Sequence, residues 1–273
     1  MSKKENHKQD LMDLFDEFAE TGNAERLMGY IVSNSNLPGR RANLELAEAF
    51  ADVVEGYAEK EKGRLWELCI GMTKISADEA PVNDPKEFIP FCGAMGIGAM
   101  GSVALEFSEK ALTTLKALAN DPRWRMRESV CFGLQRLMAK RGRDTLKELE
   151  GWIRDEDLLV MRAVAATVAE PAILQDKEIA VSALQLHRNI MDQVLETKER
   201  KSESFKVLRK ALGYTLSVVV HAIPKEGFEF MAQLADSQDS DVLWIVKENL
   251  KKNRLVKNFP EQVESMKKSL HSV

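Results

Sequence analysis

The chain is poor in the residues that would mark most alternative classes. Glycine (15) and proline (8) are scarce among 273 residues, which excludes collagen-like order and Pro/Gly-rich disorder. Only three cysteines occur, Cys69, Cys92 and Cys131, and they lie far apart. An odd, sparse count argues against a disulfide framework and fits a reducing compartment. There is no CxxC and no HxxxH, and the four histidines (His7, His187, His221, His271) are scattered, so no metal site is expected. Gly-x-Ser-x-Gly and Walker A motifs are also missing, and no cofactor is expected. The first ten residues are polar with no apolar core behind them, unlike a secretory signal. No stretch approaches the roughly 18 uninterrupted apolar residues of a membrane span. The expectation is a cytoplasmic chain with no membrane partner. Lys+Arg is 39 and Asp+Glu is 43, a formal net charge of −4. A mildly acidic chain is a poor generic nucleic-acid binder, although one basic face can hide inside that total.

What is present is helical rhythm. From Asn43 to Lys60 the apolar residues are Leu44, Ala47, Phe50, Ala51, Val54 and Tyr57, the i, i+3, i+4, i+7 spacing of one buried helix face. Glu45, Glu48, Asp52 and Glu55 occupy the other face. The same rhythm recurs in Leu11–Phe18, Leu65–Met72, Leu112–Leu118, Val130–Leu137 and Val242–Leu250. Sustained alternation of period two is missing. Breaks such as Thr21-Gly22-Asn23, Leu37-Pro38-Gly39, Asn83-Asp84-Pro85 and Asn120-Asp121-Pro122 punctuate the chain. The pattern predicts about thirteen short helices and no strand.

Four segments align with one another. They place an apolar residue before a base: Met126-Arg127, Met161-Arg162, Leu208-Arg209 and Val246-Lys247, at intervals of 35, 47 and 38 residues. In three of them an acid stands six or seven residues earlier (Asp121, Asp155, Asp241), where it can cap a helix start. Pro38-Gly-Arg-Arg41 is a looser copy. This pattern resembles the HEAT-repeat family of α-solenoids, whose unit is two antiparallel helices. The resemblance implies an all-α, right-handed solenoid of about six helix pairs. It implies a single repeat domain over 1–273, divergent and acidic over 1–82 and clearer over 83–273. In such folds the bases are structural ties between repeats, which is the ordinary reading of Arg127, Arg162, Arg209 and Lys247. Lone helix pairs cannot bury their apolar faces, whereas stacked ones can.

Gly96-Ile97-Gly98-Ala99-Met100-Gly101 spells GxGxxG. A dinucleotide fingerprint needs a strand before it, so that the turn presents amides to a pyrophosphate. Here the preceding segment is short and broken by Pro90. The preferred reading is a helix with a smooth face, where Gly93, Gly96 and Gly101 let a neighbour approach.

Charge is uneven. Residues 1–120 carry 13 bases and 20 acids, and residues 121–273 carry 26 and 23. Arg123 to Lys147 holds eight bases against Glu128 and Asp144, and Lys198 to Lys210 holds six against Glu199 and Glu203. Such runs are ordinarily solvated faces with inter-repeat pairing, but a basic groove also attracts phosphates. If nucleic acid is bound, Arg123, Arg125, Lys140, Arg141, Arg143, Lys198, Arg200 and Lys201 are the expected phosphate contacts. Trp124 and Glu128 stand i, i+4 on one helix face, and Arg162 follows Glu128 by 34 residues. This set resembles the cleft of the HEAT-like DNA alkylation repair family of alkylpurine glycosylases. The resemblance implies a stacking Trp124, a transition-state carboxylate in Glu128 and a phosphate-holding Arg162. The family carboxylate is Asp, and here no tryptophan stands one repeat after Arg162, where Phe205 is the nearest aromatic. Trp66, Trp152 and Trp244 read as core or repeat interface. The first functional expectation is therefore a non-enzymatic scaffold holding a protein or peptide partner. The alternative is a DNA-binding repair protein acting on alkylated bases.

Overall fold

The computed structural model describes residues 2–270. Met1 and residues 271–273, with His271, lie outside the described part. The described chain is all-helical, with thirteen α-helices, short 3-10 turns and no strand. No described helix is long and apolar enough to cross a membrane. The chain divides into two compact units, one ending at Arg141 and the other beginning at Gly142. The boundary between them falls inside a helix, where Arg141 leaves helical geometry (φ −136, ψ 41).

The first unit contains α1 (Lys3–Thr21), α2 (Glu25–Ser33), α3 (Leu44–Thr73), α4 (Phe88–Val103), α5 (Ser108–Leu118) and the start of α6 (Trp124–Ile153). Helix α4 is its centre. Every residue from Phe88 to Ser102 is buried, as expected of a helix that is apolar all round. Helices α2, α3 and α5 pack on it. A Cβ on Gly98 would sit 2.3 Å from the Gly133 carbonyl oxygen, so α4 and α6 meet backbone to backbone. Gly96 lies against the Cys69 thiol and the Phe50 ring in the same way. The GxGxxG string is thus the smooth face of a buried helix. Burial pushes the Cys69 thiol up to about 12, and Cys92 and Cys131 are also buried and form no disulfide.

The acidic face of α3 is closed by one base. Arg136 on α6 donates to Glu55 at 2.7 Å, Glu48 at 2.6 Å and Asp52 at 2.8 Å. Lys4 adds a 2.7 Å pair to Asp52.

The second unit contains the end of α6, then α7 (Leu158–Val168), α8 (Lys177–Glu196), α9 (Glu203–Ala222), α10 (Pro224–Ala235), α11 (Ser240–Asn249), α12 (Asn253–Asn258) and α13 (Pro260–Ser269). Here α9 is central, with α7, α8, α10, α11 and α12 against it. Its core includes hydrogen-bonded polar groups. Asn249 donates to the Leu212 carbonyl at 2.8 Å and accepts from the Ser217 amide at 2.7 Å. His187 is wholly buried. Its Nδ1 lies 2.9 Å from the Ala183 carbonyl, which can only accept, so Nδ1 carries the proton and Nε2 accepts from Thr215 Oγ1 at 3.0 Å. Desolvation holds this imidazole down at about 4.

The apolar members of the aligned segments, Met126, Met161, Leu208 and Val246, are all fully buried. The caps differ from expectation. Asp157, not Asp155, caps α7, accepting from the Leu159 and Val160 amides at 2.9 and 3.1 Å. Asp239, not Asp241, caps α11. Asp241 lies inside that helix, where it pairs with Arg209 at 2.7 Å and Arg200 at 3.1 Å. A capping side chain must precede the first free amides, and these acids sit two residues out of register for that.

Candidate functional site

The first unit holds a cleft of about 710 Å³ between the α2–α3 loop and the start of α6. Its construction begins with a buried ion pair. Arg125 Nη1 donates to Glu87 Oε2 at 3.0 Å, and both side chains are almost fully buried. Arg125 Nη2 donates to the Gly39 carbonyl at 2.8 Å, and the Gly39 amide donates to Asn83 Oδ1 at 2.9 Å. The Asn83 amide closes the circuit on Glu87 Oε2 at 2.7 Å. One guanidinium therefore ties the α2–α3 loop to the start of α4. At the far end of the loop Asn43 caps α3 and donates to the Asn34 carbonyl at 2.8 Å.

Trp124 stands on the wall of this cleft with 44% of its surface exposed. The Arg125 guanidinium lies 4.3 Å from the centre of its ring, a cation–π contact that orients the indole. Phe91 and the half-exposed Leu44 add apolar surface. Lys3, Arg40 and Arg41 supply positive charge around it, with Glu45 and Glu128 as the acids. Arg40 and Arg41 are exposed and have no hydrogen-bond or ion-pair partner among the described residues. The arrangement offers a fixed aromatic platform beside two uncommitted guanidiniums.

Trp124 and Glu128 are thus brought to one cleft, as their i, i+4 spacing requires. Arg162 lies on α7 in the second unit. Two expected phosphate contacts are corrected. Arg123 is buried, gripping Asp121 at 2.9 and 2.8 Å and reaching the Ser76 and Ala80 carbonyls. Arg125 is buried on Glu87, as described. Neither guanidinium is available to solvent, because each satisfies backbone or carboxylate groups inside the unit. Arg200 is only partly exposed and is already ion-paired. It pairs with Asp239 at 2.9 Å and Asp241 at 3.1 Å and lies over the Phe205 ring. Arg143 is exposed and pairs with Glu178 at 2.5 Å. Arg141 is the residue at the kink of α6. Lys140, Lys198 and Lys201 are exposed and carry no ion pair among the described residues. Lys198 borders a second cleft beside Glu156, Glu196 and Glu199, an acidic setting ill suited to phosphate.

The remaining tryptophans are partly or wholly enclosed. Trp66 stacks on Phe107 at 4.8 Å, Trp152 is buried, and Trp244 lies under Arg209 at 3.9 Å. Sequence reasoning missed Glu87, Asn83 and the uncommitted Arg40 and Arg41. Arg40-Arg41 was visible only as a loose repeat copy, and no periodicity distinguishes a buried Glu87 from an exposed one. Among the described residues no cluster of three or more His, Cys, Asp or Glu could hold a metal ion.

No family model matches the chain. No curated protein matches it either. Among solved structures it is similar to a crystal structure of an engineered protein from a structural genomics consortium, at 15% identity and a TM-score of 0.32, over 86% of this chain and 97% of that one. A likeness at that level carries no argument about fold or function.

Proposed function

We propose that the chain is a non-enzymatic binding protein whose helices pair as HEAT-like repeats within each unit, and whose first unit holds an acidic protein or peptide segment in the Trp124 cleft. The observation that carries this reading is the exposed Trp124 ring, oriented from behind by a buried Arg125 that is itself fixed by Glu87. Exposed tryptophans on fixed supports are efficient anchors, since little side-chain entropy is lost on contact. Arg40, Arg41 and Lys3 favour carboxylates flanking the group that meets the indole. The fully buried apolar residues before Arg127, Arg162, Arg209 and Lys247, and the Arg209–Asp241 pair, support the repeat assignment.

The test is an array of short peptides that flank an aromatic or aliphatic residue with Asp and Glu, with Lys-flanked versions beside them. Retention of acid-flanked members, lost in Trp124→Ala, supports the reading. Equal retention of both charge types, or none, overturns it.

A second reading is favoured by one observation: Trp124 and Glu128 line the same cleft with Lys3, Arg40 and Arg41. In a DNA alkylation repair protein of the glycosylase type, the indole would stack on DNA and the carboxylate would stabilise a cationic sugar. Release of methylated purines from alkylated duplex DNA, abolished in Glu128→Gln, would establish it. Absence of duplex binding at low salt would remove it.

A further inference from the structure

The second unit carries a cleft of its own, also about 710 Å³, and its lining differs in kind from that around Trp124. Three segments build it: the Pro171–Gln175 turn before α8, the C-terminal turn of α9 and the start of α12. Five polar side chains converge there: Gln175, His221, Lys252, Asn253 and Arg254. None of the five makes a side-chain hydrogen bond or ion pair with the described residues. His221 meets the Phe259 ring edge-on at 5.9 Å.

No carboxylate lines this cleft. The acids adjacent in sequence are engaged: Glu170 accepts from the Ala172 amide at 3.4 Å, and Asp176 caps α8 through the Glu178 and Ile179 amides at 2.9 and 3.3 Å. Several bases of this unit are paired: Arg200 and Arg209 meet Asp241, and Arg143 meets Glu178. Lys252 and Arg254 line the cleft and hold no acid partner among the described residues. The rest of the lining is apolar, made by Pro171, Leu174, Val218 and Ala222. Two cations, two amide side chains and an imidazole facing an apolar wall suit a ligand with one anionic end and one apolar end. The volume falls in the range of sites for small organic molecules, roughly 300–1,000 Å³, and exceeds what a bare inorganic anion fills.

We propose that this cleft binds a small amphipathic anion, in which a terminal phosphate or carboxylate meets Lys252 and Arg254 while the apolar body lies on Leu174, Val218 and Ala222. The site is independent of the Trp124 cleft, and neither reading of that cleft bears on it.

The test is calorimetric titration of the full chain with octyl phosphate, octanoate, inorganic phosphate and octanol. Mixed vesicles containing phosphatidic acid form a separate arm. The expected result is saturable binding of octyl phosphate or octanoate at 1:1, at least tenfold tighter than inorganic phosphate or octanol. Lys252→Ala/Arg254→Ala should weaken it at least tenfold. Neither side chain holds a partner among the described residues, so the double variant should keep the wild-type circular dichroism and melting temperature. A second variant, Gln175→Leu/Asn253→Leu, should weaken the anion arms and leave octanol unchanged. Inorganic phosphate binding as tightly as octyl phosphate overturns the proposal, and so does tail-bearing anion binding that survives the double variant. Binding confined to vesicles replaces a small-molecule site with a membrane-surface contact and also overturns it. Failure of all four probes overturns it outright.

Discussion

Arg125 and Trp124 are neighbours in sequence with opposite environments: one side chain is buried and the other is 44% exposed, yet the guanidinium lies 4.3 Å from the indole centre. The buried member fixes the exposed one, and Glu87 fixes both. This relationship converts a surface tryptophan into an oriented platform.

Arg125→Met tests this tie. Leaving Glu87 buried without its partner should cost about 3–5 kcal/mol. Glu87→Gln/Arg125→Met should recover part of that loss, because no lone charge remains inside. Urea unfolding of the two single variants and the double variant measures the coupling.

Arg136 offers a second test, with a defined pH signature. The Lys4 and Arg136 charges hold the Asp52 carboxyl below its ordinary range, against the opposing effect of burial. A depressed folded value contributes stability above the unfolded value of about 4 and loses it as pH falls through the folded value. Arg136→Ala should lower stability at neutral pH by about 1.5–3 kcal/mol. It should also flatten the acid limb below pH of about 4. An acid limb identical to wild type would contradict the assignment.

His187 predicts a different window. Its folded value, about 4, lies below the ordinary 6.5. The unfolded chain then takes up a proton first, so stability declines as pH falls from 6.5 toward 4. The loss approaches about 3 kcal/mol from this group alone. Stability measured against pH in wild type and His187→Gln should differ in slope across that interval, and parallel curves would refute the buried neutral imidazole.

The α4–α6 contact is tested at a glycine. Gly98→Ala places a methyl 2.3 Å from the Gly133 carbonyl, where backbone must move. A loss of about 1–3 kcal/mol or more is expected. Gly56→Ala, in open space on α3, should instead stabilise by about 0.5–1 kcal/mol. Thermal melts of the two variants should move in opposite directions.

The helices were legible because their apolar spacing repeats locally, and about thirteen were expected where thirteen occur among the described residues. The glycine face of α4 was legible for the same reason. The destinations of the arginines were not. Arg123, Arg125 and Arg200 sit in charge runs that look like surface, yet each reaches a backbone carbonyl or acid that only packing brings near. Asp121 lies two residues from Arg123, but the Arg125–Glu87 contact spans 38 residues. Helical periodicity places Trp124 and Glu128 on one face. It says nothing of the α2–α3 loop that meets them, because loop position depends on Asn83, Glu87 and Arg125 together.

The central claim is that the Trp124 cleft binds an acidic segment, and charge reversal at its uncommitted bases tests it most directly. Arg40→Glu/Arg41→Glu changes two exposed side chains that hold no partner among the described residues, so the melting temperature should stay within a degree or so of wild type. Fluorescence anisotropy with an acid-flanked peptide retained on the array should show affinity falling at least tenfold, with salt dependence reduced in parallel. Unchanged affinity with an intact fold would contradict the account and place the partner surface elsewhere.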